Sequence, residues 1–364
     1  MHSQIHAIAL DPSKCVGCTN CLKKCPTEAI RVKNRHSLTI KDRCINCGQC
    51  LQVCPRHARF GITDDLNDIF KYPYRIALID PILYGQFHES ISPSQILRSL
   101  KKLGFDTFFE TSHGADIITE YTRKYIDSKP KGPIISSSCP TIVRLIQIHF
   151  PGLIDHILPI DSPVEISAHI AREKAMEAHG FKEEEIGVFY ISPCPARIYS
   201  FKKPVGIKKS HVSGTLSSKA IFLELSKNLD KSTEEHEEFY ASGKGIGWAR
   251  AGGQSQALAI SEYLAVDGIQ NVISVFEEIE YRKIHDLTFI ECHACTNGCV
   301  GGSFNIENSF VSRNRIRKLA ETYFDNPVTN IQVNTEEFLL TEPLTTIQVT
   351  KLDEDLSEAI RKMQ

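Results

Sequence analysis

No apolar run in the 364 residues approaches the roughly 20 that a membrane-spanning helix needs. Net charge is equally scarce. Against 44 Asp and Glu stand 42 Lys and Arg, and the resulting −2 points neither to nucleic acid nor to an anionic membrane as a partner. The opening stretch, MHSQIHAIALDPSKC, has neither the basic region nor the long apolar core of a secretory leader. These absences predict a cytoplasmic protein in a reducing setting. With 41% hydrophobic and 24% charged residues, the chain is expected to bury a sizeable core in two or three domains.

Cysteine, by contrast, is abundant. Thirteen cysteines in a reducing compartment need an explanation other than disulfides. Eight precede residue 55 and five follow residue 138. CVGCTNCLKKCP (15–26) and CINCGQCLQVCP (44–55) share the spacing C-x2-C-x2-C-x3-C-P, and each cysteine recurs 29 residues later, an internal repeat. Three closely spaced thiolates can wrap one face of an Fe4S4 cube, and the fourth, just before proline, reaches the other cube. That rule assigns Cys15, Cys18, Cys21 and Cys54 to one [4Fe-4S] cluster and Cys44, Cys47, Cys50 and Cys25 to a second. HAIALD and SLTIKD, ahead of the two runs, alternate as short strands should. Paired C-x2-C also makes zinc sites, but doubled triplets each closed by Cys-Pro favour iron and sulfur. Residues 1–66 look like a small α+β, bacterial two-cluster ferredoxin domain. Two close clusters suit one physical task, the passage of single electrons between a partner redox protein and something deeper in the chain.

After DDLNDIFKYP (64–73) the pattern changes to alternating strands and helices. YRIALIDP (74–81), DTFFETS (106–112), PIISSS (133–138), IGVFYIS (186–192) and LTFIEC (287–292) read as strands. SPSQILRSLKKLGF (92–105) reads as a helix with Ser92 as N-cap, Pro93 in first position and Gly104 at its end. Helices are also expected through ADIITEYTRKYI (115–126), beyond Pro140 with Ile142, Leu145, Ile146 and His149 on one face, through KAIFLELSKNL (219–229) and through SQALAISEYLA (255–265). Alternation of this kind implies an α/β fold of parallel sheets flanked by helices. Cys139, Cys194, Cys292 and Cys295 follow strands, at the edge where open α/β sheets place ligands.

Taken together, SSSCP (136–140), ISPCPAR (191–197) and ECHACTNGCVGG (291–302) resemble the three motifs of the iron-iron hydrogenase catalytic region, usually T-S-C-C-P, M-P-C-T-A-K and E-x-M-A-C-x-x-G-C-x-x-G. Order, intervals and the preceding ferredoxin domain agree, so the resemblance covers nearly the whole chain. It implies a two-lobed parallel-sheet domain over residues 67–350. It also implies an H-cluster, a [4Fe-4S] cube joined through a cysteine to a diiron unit with carbonyl, cyanide and dithiolate ligands. Carried over by motif, the cube ligands are Cys139, Cys194, Cys295 and Cys299, with Cys299 bridging to the diiron unit. The activity implied is reversible dihydrogen oxidation, with dihydrogen and protons as substrates, a redox protein for electron exchange and hydrogenase maturation proteins as further partners.

Several positions depart from the family pattern. Ser138 stands where a cysteine relays protons, and a hydroxyl that stays neutral predicts slower proton transfer. Arg197 replaces the lysine that holds a cyanide ligand, and Ser192 and His293 each replace a methionine. Pro81 is kept from an A-P-S segment whose flanks are here Asp80 and Ile82. Pro163 is kept, followed by Val164 where glutamine is common. Trp248, the only tryptophan, takes the place of a pocket phenylalanine. Against these readings, His293 could be a packed histidine with a backbone partner, and Val164 and Trp248 simple core residues. Cys292 has no assigned role. It is either a bystander thiol or a helper of an ordinary cube.

The missing relay cysteine makes the chain similar to the sensory members of the family, so low turnover or hydrogen sensing is expected. One alternative is an electron carrier with three cubes and no diiron unit; another is a subunit of a larger redox complex. NIQV (330–333) and TIQV (346–349) suggest neighbouring strands. KLDEDLSEAIRKMQ (351–364) places Leu352, Leu356, Ile360 and Met363 on one helical stripe. The cluster and PAS-type domain that follow in sensory members are not found in the chain, so any signalling output is expected from another protein or region.

Overall fold

The computed structural model describes residues 6–128, 132–230, 241–284, 286–324, 326 and 334–349. The terminal helix expected over 351–364 and the NIQV segment lie outside them.

The N-terminal module is built twice over. Strand β1 (Ile8–Leu10), helix α1 (Asn20–Lys23), strands β2 (Ile30–Lys33) and β3 (His36–Thr39), helix α2 (Gln49–Gln52) and strand β4 (Arg59–Gly61) follow in order. β1 pairs antiparallel with β4, and β2 with β3. The 29-residue repeat is written into the backbone. Gly17 and Asn46, Thr19 and Gly48, and Glu28 and His57 are three equivalent pairs, all with positive φ. The chain must turn sharply at the same points of each cysteine loop.

The rest forms two parallel sheets. β5 (Tyr74–Ile79) is followed by α3 (Pro93–Lys102), β6 (Thr107–Glu110), α4 (Thr111–Ser128), β7 (Ile134–Ile135), α5 (Pro140–His149), α6 (Pro163–His179) and β8 (Ile186–Ser192). Then come α7 (Pro195–Lys202), β9 (Gly214–Ser217), α8 (Ser218–Lys227), α9 (Gly243–Gly247), α10 (Gly253–Leu258), β10 (Tyr263–Asp267), α11 (Ile269–Glu280), β11 (Phe289–His293) and α12 (Ser309–Thr322). One sheet has the order β6-β5-β8-β9 and the other β10-β11-β7. Their ladders are parallel.

Both faces of the first sheet are covered, which is why its strands read as continuous apolar runs. Ala77, Ile79, Phe189 and Ile191 pack into one core, and Ile76, Leu78, Val188 and Tyr190 into another. The second sheet is likewise sandwiched, with Ile135, Ile290 and Val266 on one side and Ile134 and Phe289 on the other. α3 begins as expected, with Ser92 and Gln95 forming a capping box ahead of Pro93.

Four expectations need correction. SQALAISEYLA is not one helix: α10 stops at Leu258, Ala259 turns left-handed at φ 55°, and the β-prone Tyr263–Asp267 joins the second sheet. PIISSS forms a strand only at Ile134–Ile135: the Ser136 amide still donates to the Ile290 carbonyl at 3.0 Å, after which the serine side chains bond one another, Gln254 and the Ile160 carbonyl. DTFFETS yields to helix at Thr111. TIQV is irregular, tied down by the Ile347 amide donating to the Gln147 carbonyl at 2.9 Å.

Candidate cluster sites and the cavity beside them

The ferredoxin-like module contains two small cavities. The first is lined by Cys15, Cys18, Cys21 and Cys54, the second by Cys25, Cys44, Cys47 and Cys50. These are the two quartets that the cross-over rule assembles, each with three cysteines from one run and one from the other. The crossing cysteines are held alike: the Ala29 amide donates to Cys25 Sγ at 3.2 Å and the Ala58 amide to Cys54 Sγ at 3.3 Å. Amide bonds to sulfur tune the potential of a cube. Burial pushes the Cys44 thiol up to about 11 and Cys50 up to about 12. Thiolates at such positions need a strongly cationic centre to form, and the four-sulfur donor set fits an iron–sulfur cube.

The second quartet abuts the larger domain. Arg144 donates to the Cys44 carbonyl at 2.9 Å and the Asp42 carbonyl at 3.0 Å, and Gln52 donates to the Gly301 carbonyl at 3.0 Å. Gly48, at φ +78°, leaves no room for a side chain: a Cβ there would collide with Ser303 and press on Pro195. The Cys47 thiol is near enough to Cys295 to raise its pKa, and Cys21 does the same to Cys50. Cysteine sites thus follow one another from the exposed Cys18 into the interior.

The interior quartet draws on both sheets. Cys139 and Cys194 are the N-cap residues of α5 and α7, each followed by proline in first position. The Cys-Pro pairs in the sequence are therefore helix starts as well as metal motifs. The backbone amides of Arg197 and Ala196, in the first turn of α7, favour the Cys194 thiolate against its burial. Cys295 and Cys299 lie in the loop after β11, and Cys295 feels Cys194, Cys139 and Cys299. Burial raises all three thiols of Cys194, Cys295 and Cys299, with Cys194 pushed up to about 11. Again the donor set fits a cube. Cys292 lies within β11, fully buried in the core with Ile290 and Ala294, and is near enough to Cys139 for that thiol to raise its pKa.

Beside Cys299 is a cavity. Its walls include Asp80, Pro81, Ser138, Pro163, Val164, Arg197, Trp248, Gln254 and His293. The structure thus brings together the motif departures identified in the sequence, save two. Ser192 instead braces the Cys194 loop, donating to the Cys194 carbonyl at 2.9 Å and accepting from its amide at 3.3 Å. Ile82 is core.

One donor in these walls is unsatisfied and one charge is buried. Among the described residues the Trp248 indole Nε1 is buried without a hydrogen-bond partner, and the Arg197 guanidinium, 5% exposed, borders the cavity. Burial works against the charge of Arg197, but Tyr190, Cys299, Cys194 and Asp80 raise its pKa and hold it cationic. Buried donors without acceptors are costly. An acceptor-rich, anionic group in the cavity would satisfy that donor and offset that charge, so the residues fit a diiron unit with cyanide ligands.

Three partnerships were not foreseen from sequence. Glu291 and His293 point the same way from β11, with Oε1 and Nε2 2.9 Å apart, and His293 also hydrogen-bonds the Cys299 side chain. Burial alone would lower the His293 pKa, but these two bonds raise it to about 10. Asp80 accepts from the Tyr190 hydroxyl at 2.9 Å and from the Ile82 amide at 3.1 Å. Ser138 sits in a ring: Ser136 Oγ lies 3.0 Å away, Gln254 Nε2 donates to Ser138 at 2.8 Å, and Ser136 donates to Gln254 Oε1 at 2.6 Å. The E-x-H spacing on a strand was the available signal for the first. The others join distant segments.

Comparison with known proteins places this geometry. Residues 74–303 match the family described as iron only hydrogenase large subunit, C-terminal domain, and residues 7–55 match the 4Fe-4S dicluster domain. The chain is 28% identical over 223 residues to the periplasmic [Fe] hydrogenase large subunit of Nitratidesulfovibrio vulgaris, covering 55% of this chain and 52% of that protein. It is 25% identical over 209 residues to iron hydrogenase 1 of Clostridium pasteurianum, covering 54% and 36%. The chain spans about half, or less, of the length of the curated relatives it matches. Its fold is similar to that of a variant of the [FeFe]-hydrogenase HydA1 from Chlamydomonas reinhardtii, with a TM-score of 0.59, 14% identity, and coverage of 78% of this chain and 98% of that one.

Proposed function

The chain belongs to the iron-only hydrogenase family, and on that premise we propose that it interconverts dihydrogen with two protons and two electrons at low turnover. The electrons would pass singly through two ferredoxin-type cubes to a redox protein. The observation that carries this reading is the cavity beside Cys299, which the cationic Arg197 borders and whose wall holds the unpartnered indole Nε1 of Trp248.

In this reading Cys139, Cys194, Cys295 and Cys299 would hold a cube, and the cavity beside Cys299 would take a diiron unit. That unit, when bound, supplies the bond-splitting chemistry, including a base on its dithiolate bridge. The chain's residues do the rest. Arg197 offers a planar, permanently charged fork of donors where a lysine would give a point charge. Glu291 fixes the His293 ring, and the ring donates to Cys299, stabilising its thiolate. Pro81, Val164 and Trp248 keep water out. Ser138 stays neutral in its ring with Ser136 and Gln254, which is the basis for low turnover. Clusters held at these cysteines would give electrons a route from Cys295 toward Cys47, then from the Cys50 side to Cys21 and the exposed Cys18. A role in hydrogen sensing and a cytoplasmic location agree with this slow, electron-linked site.

The test is anaerobic electron paramagnetic resonance of the protein matured with hydrogenase accessory proteins. Dihydrogen alone should reduce the ferredoxin-type cubes, and argon should not. Cubes that respond to dithionite but never to dihydrogen would count against the proposal. A second reading, an electron carrier with three cubes only, draws on the cavity's small free volume of about 30 Å3. It predicts that second result.

A further inference from the structure

A second cavity lies on the other side of Arg197. It has a free volume of about 60 Å3, and its polar lining is Ser137, Asp161, Ser162, Glu165, Arg197 and Ser200. The two cavities share Arg197 and also draw on residues adjacent in sequence. Ser137 faces the outer space and Ser138 the inner; Ser162 faces the outer and Pro163 the inner; Arg197 lines both. Asp161 and Glu165 therefore line a space that meets, at Arg197, the one that holds Cys299 and His293. Resting on the hydrogenase reading above, we propose that this outer cavity is the proton passage of the chain, with Asp161 and Glu165 as relay carboxyls.

The chemistry of the lining suits that task. The cavity has room for several waters. Asp161 Oδ1 accepts from the Ser162 amide at 2.7 Å, and Glu165 Oε2 accepts from the His211 amide at 2.8 Å, which fixes both carboxyls in place. Burial first, then the neighbouring Glu165, raises the Asp161 pKa to about 8, with the Ser162 amide and Arg197 pulling the other way. Glu165 is raised by burial against its bonds to Ser210 and His211 and the pull of Arg197. A carboxyl that titrates near neutral pH can both accept and release a proton. Position 138 offers nothing comparable, since the ring of Ser138, Ser136 and Gln254 contains only neutral groups. Each passage moves one proton and no electron: a carboxylate oxygen takes the proton from the inner side and releases one to bulk water. Two passages match the two electrons that leave through the cubes for each dihydrogen split.

The rival side is α4, where Thr111 and Ala115 line the inner cavity and the next residue, Asp116, accepts from Ser242 at 2.7 Å. The experiment compares Asp161→Asn, Glu165→Gln and Asp116→Asn in the full chain. With the cubes alone in place, infrared titration of the natural chain should find a protonated carboxyl that deprotonates near pH 8. That band should be missing from Asp161→Asn. After maturation, exchange of dihydrogen with heavy water should slow about 100-fold in Asp161→Asn, with the carbonyl and cyanide bands unmoved. Asp161→Glu should restore most of the rate. Unchanged exchange in both Asp161→Asn and Glu165→Gln overturns the proposal, as does slowing in Asp116→Asn alone. So does failure of Asp161→Glu to restore exchange when its bands are intact. A natural chain without carbonyl and cyanide bands would instead bring down the hydrogenase reading and this passage with it. The bands and the exchange rate thus tell the two failures apart.

Discussion

Glu291 and His293 form a buried pair on one face of β11, 2.9 Å apart, and the same imidazole reaches the sulfur of Cys299. Neither partner has water to fall back on, so removing one leaves the other's charge stranded. Glu291→Gln is expected to destabilise the fold by about 3 kcal/mol. Adding His293→Met should recover much of that loss, because an apolar side chain needs no partner. Denaturant unfolding of the two single variants and the double variant closes the cycle. Strict additivity would contradict a direct pair.

Gly48 packs a cysteine loop of the ferredoxin-like module against Ser303 and Pro195. Gly48→Ala adds both a left-handed alanine and a collision, and should cost about 2 kcal/mol. It should also slow electron transfer from the inner sites to an external dye by pushing Cys47 away from Cys295. Stopped-flow reduction kinetics would register the change. An unaltered rate would mean that electrons do not cross at this contact.

The cysteine assignments predict which irons each variant loses. Cys54→Ala should remove about four irons and the outer cube's signal, although Cys54 belongs by sequence to the second run. The inner cube should survive. Cys292→Ala should leave iron content unchanged, since that thiol is packed in the core. Iron analysis with resonance spectra of reduced samples separates these outcomes.

Asp161 also makes stability depend on pH. Its pKa is about 8 in the folded chain against an ordinary 3.8, so between these values the folded state binds more protons than the unfolded one. Stability therefore falls as pH rises from about 4 to about 8 and is level in this respect above that. Asp161→Asn should flatten the slope by up to about one proton per chain. Unfolding midpoints at a series of pH values would show it, and an unchanged slope would place the titration elsewhere.

Much of this was legible in the sequence because the chemistry is local. The repeated cysteine runs carry their own spacing, Ser92 with Pro93 starts α3, and Cys139-Pro140 and Cys194-Pro195 mark two further helix starts. The motif departures at Arg197, Trp248, Val164 and His293 converge on one cavity, as the resemblance led one to expect. Other features were hidden for a physical reason. Asp80 with Tyr190, Ser138 with Gln254, and Asp161 with Arg197 join segments that only the packing of two sheets brings together. Residues 259–265 misled because their composition permits helix, whereas a left-handed Ala259 and pairing with β11 decide for strand.

The central claim is that Arg197 and Trp248 wait on an iron unit in the cavity beside Cys299. Anaerobic infrared spectroscopy of the matured protein, with an iron count, tests it most directly. The account predicts carbonyl and cyanide stretching bands that shift under dihydrogen, together with about fourteen irons per chain from three cubes and a diiron unit. No such bands, with about twelve irons, would contradict it and leave three cubes and an electron carrier.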